Sequence, residues 1–482
     1  MGLTVDAILE HAARIAPDAP AATLEDNSIT FGELDRRANR IANALHGRGV
    51  TPGMRVLWWS DTALDAVPVF GALAKLGAIF APLNARAGVD ELAPVADYAE
   101  PALLLCGASH REQAAALAAR VGVPFLPDLP DDGAEARPVG GPSEKDPHVM
   151  FFTSGSTGRP KGVVLSHRAN WLRTYIGATS SPGGAGTVCM FPLFHMAGWT
   201  IAMGAWQARR AIHFVRTPDA DTLLHTATRR HAARLYCIPA VWARILESDL
   251  GRYDLAALVE ADTGTSATPP ELLRAIKDVL PHTVTRVFYG STEAGPGVQL
   301  SDPDVLRKPG SVGLPQAGVD LRLADDGEVC LRSPFLMDGY FNNPEATAEA
   351  LHDGWYHTGD LGALDDEGYL SIVGRARDVI RTGGETVAPS EVEAVLSVHP
   401  AIAEAAVVGM PDPEWGEVVT AVCVLHPGAD APDAHALRAF CGDRLAPFKQ
   451  PRRVAIVDAL PRTAATGQIQ RTLIIERLQA SR

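Results

Sequence analysis

Cysteine is scarce in this sequence: its six copies (Cys106, Cys189, Cys237, Cys330, Cys423, Cys441) stand far apart, with no Cys-x-x-Cys pair. That spacing argues against a disulfide framework and against a zinc site, and it fits a reducing compartment. Positive charge is also in deficit, with 43 Lys and Arg against 57 Asp and Glu and a net charge of −14. A nucleic-acid binder depends on clustered Lys and Arg, so that class is excluded. No apolar run is long enough to span a membrane; the longest, near Val67 to Leu83, is broken by Pro68, Lys75 and Pro82. A basic segment followed by an apolar core is missing from the start, and Asp6 stands where myristoylation of Gly2 needs Ser or Thr. The expectation is a cytoplasmic protein with no nucleic-acid or membrane partner.

What is present suits a large soluble enzyme. Hydrophobic residues make up 46% and charged residues 21% of 482 positions, enough chain for two or more domains. Thr30-Phe-Gly-Glu33 reads as a capping box, followed by Leu34, Ala38, Ile41, Ala42 and Leu45 at helical spacing, with Gly47 and Gly49 as the stop. Strand candidates Val56 to Trp59 and Ala78 to Leu83 flank a helical stretch ending at Gly77. This alternation predicts an α/β fold with mostly parallel sheets covered by helices. Residues 128–146 read as a loop, and His225 and His231 as helix-surface residues. Near Gly374 the pattern changes to short strands and two helical stretches, which places a boundary at Arg377 between domains 1–376 and 377–482.

One segment is dense in chemistry. Thr153, Ser154, Gly155, Ser156, Thr157, Gly158 and Lys161 follow the apolar run Val149 to Phe152. Glycines allow close backbone approach, hydroxyls donate, and Lys161 brings charge, so the loop can wrap a polyphosphate. Pro160 precedes Lys161, which departs from Gly-x-x-x-x-Gly-Lys-Ser/Thr and disfavours a Walker-type NTPase. A glycine-rich surface turn is the plain alternative.

Five further segments join it. Pro192-Leu-Phe-His-Met-Ala-Gly-Trp199 sets a histidine among apolar residues, as core packing or as a pocket wall. Tyr289-Gly-Ser-Thr-Glu293 follows the strand-like Val284 to Phe288, where α/β sheets bind ligands; by itself it also reads as a turn. Thr292 could donate to a phosphate and Glu293 could hold magnesium. Trp355-Tyr-His-Thr-Gly-Asp360 offers a carboxylate for two ribose hydroxyls. Gly374-Arg375 offers a guanidinium, and Arg381-Thr-Gly-Gly-Glu385 a turn that a ligand could pass closely.

The ordered set resembles the adenylate-forming (ANL) superfamily, in particular acyl-CoA synthetases. Lys75-Leu-Gly-Ala-Ile-Phe-Ala-Pro-Leu-Asn84 and Val407-Val-Gly-Met-Pro-Asp412 extend the likeness over the whole chain. It implies a large N-terminal domain of helix-covered, mostly parallel sheets with a small barrel-like subdomain. It also implies a small mobile α+β C-terminal domain and an active site between the two. A carboxylate is first joined to ATP, with Mg2+, as acyl-AMP. The small domain then swings about a hinge, matched by Arg377, and CoA displaces AMP. By position, Thr153 to Lys161 would meet phosphates, and Tyr289 would stack on adenine beside Gly264, Thr265, Gly290 and Ser291. Thr292 would bind the α-phosphate, Glu293 the metal, Asp360 the ribose and Arg375 the nucleotide. His195, Met196, Trp199, Tyr236 and Gly290 would line the acyl pocket, and Gly383 and Gly384 the pantetheine path. The resemblance also allows a homodimer.

Two departures stand out. The family's Leu-Pro-x-Thr-x-x-Gly-Lys reads here Leu460-Pro-Arg-Thr-Ala-Ala-Thr-Gly-Gln468, one residue longer, with Gln468 in the catalytic lysine's place and no lysine after Lys449. Gly264-Thr-Ser-Ala267 replaces Gly-Gly-Ala-Pro beside the adenine. The first implies an enzyme that takes preformed acyl-AMP from a separate adenylating enzyme and passes the acyl group to CoA. Such an organisation resembles the non-adenylating acyl-CoA ligases of platensimycin and platencin biosynthesis, which would imply a bulky terpenoid acid. Three other readings stand beside it: a complete two-step synthetase, a loading enzyme for a separate carrier protein, and a non-catalytic binder of acyl-adenylates.

Overall fold

The computed structural model describes residues 2–154, 160–180, 184–463 and 468–480. By compactness the chain forms two units, Met1–Asp320 with Leu331–Tyr356, and Leu321–Cys330 with His357–Arg482. This division differs from a boundary at Arg377. It groups Leu321–Cys330 with the chain from His357 onward.

The first unit is built on two large sheets. In one, the strands Pro20–Leu24, Ala211–Phe214, Gly186–Cys189, Arg234–Tyr236, Glu260–Gly264 and Val284–Ser291 run parallel as successive neighbours, with antiparallel strands at both edges. In the other, Phe125–Leu126, Leu103–Cys106, Arg55–Trp59, Ile79–Pro82 and Pro147–Ser154 are parallel, and Pro160–Ser166 turns back antiparallel. Parallel strands must be covered on both faces, which explains the apolar runs in Arg55–Trp59, Ile79–Pro82 and Leu103–Cys106. The helix Ala66–Leu76 is buried along its whole length. Its one charge, Lys75, is held by Glu10 at 2.9 Å and Asp35 at 2.8 Å. A buried ammonium needs such partners to offset desolvation.

Local expectations from sequence hold in this unit. Thr30 caps the helix Phe31–Gly47: its Oγ1 accepts from the Glu33 N–H at 3.2 Å while Glu33 accepts from the Thr30 N–H at 2.9 Å. Gly77 ends the Ala66–Leu76 helix at φ +71°, a conformation glycine adopts without strain. Residues 128–146 carry no helix or strand. Asp131 in that loop pairs with Arg40 at 2.7 Å and Arg37 at 3.2 Å.

The second unit holds Glu328–Arg332, Trp355–Leu364 and Leu370–Arg375 as neighbouring strands, the first two continuing into the first unit. After the turn at Ala376–Asp378 comes a five-stranded sheet centred on the hairpin Ile402–Asp412 and Gly416–Leu425. Alternate residues of this hairpin serve opposite cores: Val407, Val419, Ala421 and Cys423 on one face, Ala406, Val408, Val418 and Val422 on the other. Among the described residues three helices, rather than two helical stretches, follow Gly374: Pro389–Leu396, Ala434–Cys441 and Arg471–Ala480. The last has only Ile474 fully buried, which leaves a weak apolar stripe.

Candidate active site

In the first unit the candidate residues cluster at the carboxyl ends of parallel strands, the usual ligand edge of an α/β sheet. Tyr236, Gly264 and Tyr289 lie at or near the ends of Arg234–Tyr236, Glu260–Gly264 and Val284–Ser291. Register places Gly264 opposite Phe288. A Cβ on Gly264 would sit 2.3 Å from the Phe288 carbonyl oxygen and 2.9 Å from the Tyr236 hydroxyl, so a side chain is excluded there. Thr265 follows at φ +66°, a strained conformation for a β-branched residue.

Beneath this edge lies a buried charge network that the sequence reading missed. Asp262 accepts from Arg286 Nε at 2.8 Å and Nη2 at 2.9 Å, and from Arg234 Nε at 2.5 Å. Glu260 also pairs with Arg286. Burial pushes the Asp262 carboxyl up to about 6 against the pull of Arg234, and pushes the Arg286 guanidinium down to about 9. The network crosslinks the three strands that carry Tyr236, Gly264 and Tyr289. Charged residues inside buried strands, Arg234, Glu260 with Asp262, and Arg286, were the available signal.

The tip of the Val284–Ser291 and Gly295–Ser301 hairpin presents Thr292 and Glu293. Three contacts hold it. Arg173, 1% exposed on the helix His167–Ser180, donates from Nη1 to the Thr292 carbonyl at 3.0 Å and from Nη2 to the Phe335 carbonyl at 2.6 Å. Met337 N–H donates to the Glu293 carbonyl at 2.8 Å. The Tyr340 hydroxyl donates to Glu293 Oε1 at 3.1 Å, and Lys161 Nζ stands 4.8 Å over the Tyr340 ring. Tyr356 is buried beside Glu293, Tyr340 and Ser291, and its phenol is pushed well up, first by burial and then by the Glu293 charge. Arg173, Tyr340 and Tyr356 were not anticipated, because each comes from a distant segment.

The phosphate-loop segment forms the hairpin Pro147–Ser154 with Pro160–Ser166, pairing Thr153 with Lys161 and Ser154 with Pro160. Gly155, Ser156, Thr157 and Gly158 lie outside the described residues. The structure thus joins Lys161 to Glu293 through Tyr340. Among the described residues the second Glu293 carboxylate oxygen takes no hydrogen bond. A magnesium ion is characteristically held by one or two carboxylates plus substrate phosphates, and this donor fits that demand.

His195 is half-buried and caps the helix Met196–Gln207, its Nδ1 accepting from the Ala197 N–H at 3.2 Å. Burial pushes its pKa down to about 4. The ring is therefore neutral near pH 7, and the proton sits on Nε2, which can donate to an oxygen. The rings of His195, Phe191, Tyr236 and Phe288 follow one another at centroid spacings of 5.9, 5.3 and 5.6 Å. Met196 is buried, and Trp199 is stacked on Phe70 at 4.1 Å with its indole N–H donating to the Leu193 carbonyl at 2.7 Å. Those surroundings are a packed core. Gly290 is exposed at the hairpin, where a Cβ would meet the Gly295 carbonyl oxygen at 2.0 Å.

In the second unit, register sets Asp360 opposite Arg375, with Arg375 Nε 2.7 Å from Asp360 Oδ1. Arg377 is exposed in the turn Ala376–Asp378. Gly383 and Gly384, at φ +60° and +84°, form the two-residue turn between Ile380–Thr382 and Glu385–Val387. Such turns require positive φ at both positions. A Gly383 Cβ would approach the Trp415 ring to 2.7 Å. Gln468 is exposed; its N–H donates to Thr463 Oγ1 at 3.1 Å, and its carbonyl accepts from the Thr463 N–H at 2.7 Å. Nearby arginines are engaged: Arg471 with Glu393 at 2.5 Å and Arg462 with Glu404 at 2.7 Å.

Residues 9–341 match the family model described as AMP-binding enzyme, and residues 391–466 match the AMP-binding enzyme C-terminal domain. Feruloyl-CoA synthase of Amycolatopsis sp is 35% identical over 95% of both chains. ATP-bound MatB from Rhodopseudomonas palustris is 29% identical with a TM-score of 0.90 over 99% of both chains. The Bacillus subtilis o-succinylbenzoate CoA synthetase, solved with its acyl-adenylate OSB-AMP, is 27% identical with a TM-score of 0.88 over 97% of both. The chain belongs to the AMP-binding enzyme family, the adenylate-forming superfamily. Within it, this is an acyl-CoA ligase. Among the described residues no helix is long and apolar enough to cross a membrane.

Proposed function

We propose that this ligase transfers an acyl group from acyl-AMP to CoA, and that its own adenylation of a free carboxylate is weak or absent. The CoA sulfur attacks the acyl carbon, the bond to the AMP oxygen breaks, and the thiol proton passes to solvent. His195 Nε2–H donates to the acyl oxygen, Thr292 to the α-phosphate, and Asp360 and Arg375 hold the nucleotide. Tyr289 stacks on adenine, Lys161 meets phosphate, and Gly383 and Gly384 leave room for pantetheine. Glu293 would hold Mg2+, which neutralises phosphate charge when bound. Arg377 is the hinge, and a separate adenylating enzyme supplies the intermediate.

The observation carrying this reading is Gln468, a neutral side chain where the resembled motif has a lysine, with both nearby arginines already paired to carboxylates. Losing one charged stabiliser of a transition state costs about 10²–10³ in rate, roughly 3–4 kcal/mol. Thiol attack on an existing mixed anhydride needs no such charge. Synthetic acyl-AMP with CoA is expected to give thioester rapidly, while ATP, a carboxylate panel and labelled pyrophosphate exchange slowly.

A complete two-step synthetase is the second reading, favoured by similar structures solved with ATP and with an acyl-adenylate. Brisk pyrophosphate exchange by the purified protein would establish it and overturn the first. Comparing CoA with an acyl carrier protein as acceptor separates both from a carrier-loading enzyme.

A further inference from the structure

We propose that Glu328, Cys330 and His357 form a binding site for a zinc-class divalent cation. Glu328 and Cys330 are two residues apart on the strand Glu328–Arg332, so their side chains leave the same face. His357 lies on the neighbouring strand Trp355–Leu364. Its Nδ1 is 2.8 Å from Glu328 Oε2 and 3.5 Å from Cys330 Sγ. All three donor atoms lie within 4.8 Å of one another, and no other group of three His, Cys, Asp or Glu among the described residues is so arranged.

The spacing can be compared with a bound ion. A tetrahedral zinc with bonds of about 2.3 Å to sulfur and about 2.0–2.1 Å to nitrogen holds those two atoms about 3.5 Å apart. The Sγ to Nδ1 distance already has that value. The Nδ1 to Oε2 distance needs to open by about 0.5 Å, as a hydrogen bond is replaced by two metal bonds. One thiolate, one imidazole and one carboxylate suit zinc and disfavour magnesium or calcium, which take oxygen ligands. Coordination releases the Cys330 thiol proton to solvent. The Glu328 and His357 side chains are 19% and 13% exposed, which leaves a fourth position for water.

The surroundings hold the donors in place. Glu328 Oε1 accepts from the Gly359 N–H at 2.7 Å, and the Thr358 hydroxyl donates to the Val329 carbonyl at 2.8 Å, pinning the two strands in register. Such outer contacts orient ligands. The cysteine spacing had argued against a zinc site because it offers no second cysteine nearby; strand pairing supplies a histidine and a carboxylate instead.

The test is titration of the full chain with Co2+, followed by displacement with Zn2+. We expect a near-ultraviolet thiolate-to-cobalt band that Zn2+ abolishes. Cys330→Ser should remove the band, and His357→Gln should weaken Zn2+ at least about tenfold against a chromophoric chelator. No band in the parent protein, or a band that survives Cys330→Ser, overturns the proposal. Should Cys330→Ser not fold, unchanged Zn2+ affinity in His357→Gln overturns it equally.

Discussion

Arg173 makes no anticipated contact with substrate, yet its removal should cost activity as well as stability. Its guanidinium donates to the Thr292 carbonyl at 3.0 Å and to the Phe335 carbonyl at 2.6 Å. Hydrogen bonds to charged groups contribute about 1.5–3 kcal/mol each net of desolvation, so Arg173→Met should cost roughly 3–6 kcal/mol of stability. Burial pushes the guanidinium pKa from 12.5 down to about 10. The loop that carries Thr292 and Glu293 meanwhile loses a tether, and a shift of about 1 Å at a reacting group costs about 10²-fold in rate. Urea unfolding and kcat/KM for acyl-AMP with CoA measure the two effects separately. Arg173→Lys, able to keep one of the two bonds, should fall between. A folded Arg173→Met protein with kcat/KM within about threefold of the parent, under about 0.7 kcal/mol, would refute the tethering argument.

Other perturbations follow from the same geometry. Gln468→Lys should raise pyrophosphate exchange by up to about 10²-fold while thioester formation from acyl-AMP stays constant; an unchanged exchange rate would show that the longer segment, not the missing charge, limits adenylation. Gly383→Ala places a Cβ against Trp415 at φ +60°, and should cost about 1–2 kcal/mol of stability and raise KM for CoA but not for acyl-AMP. Burial pushes His167, His195 and His213 down to about 4 and His148 well below its ordinary value. Between pH 6.5 and 4 the unfolded chain takes up protons that the folded chain refuses, so stability should fall with pH there. The slope is about 1.4 kcal/mol per pH unit for each histidine that titrates fully, and a urea midpoint that rises from pH 6.5 to pH 5 would contradict it.

The sequence by itself determined what consecutive residues decide: the Thr30 capping box, the Gly77 helix stop and the glycine turn at Gly383-Gly384. It also determined membership of the adenylate-forming superfamily, because motif order survives along a chain at about one-third identity. Capping and turn chemistry act within a few bonds, so their signals are legible without a fold. Only tertiary structure set Arg173 against Thr292, 119 positions away, or Tyr340 between Lys161 and Glu293. Only strand register put Asp360 opposite Arg375 and His357 beside Cys330. A one-residue slip turns a strand's side chains to the opposite face, and no local pattern encodes which neighbour they then meet.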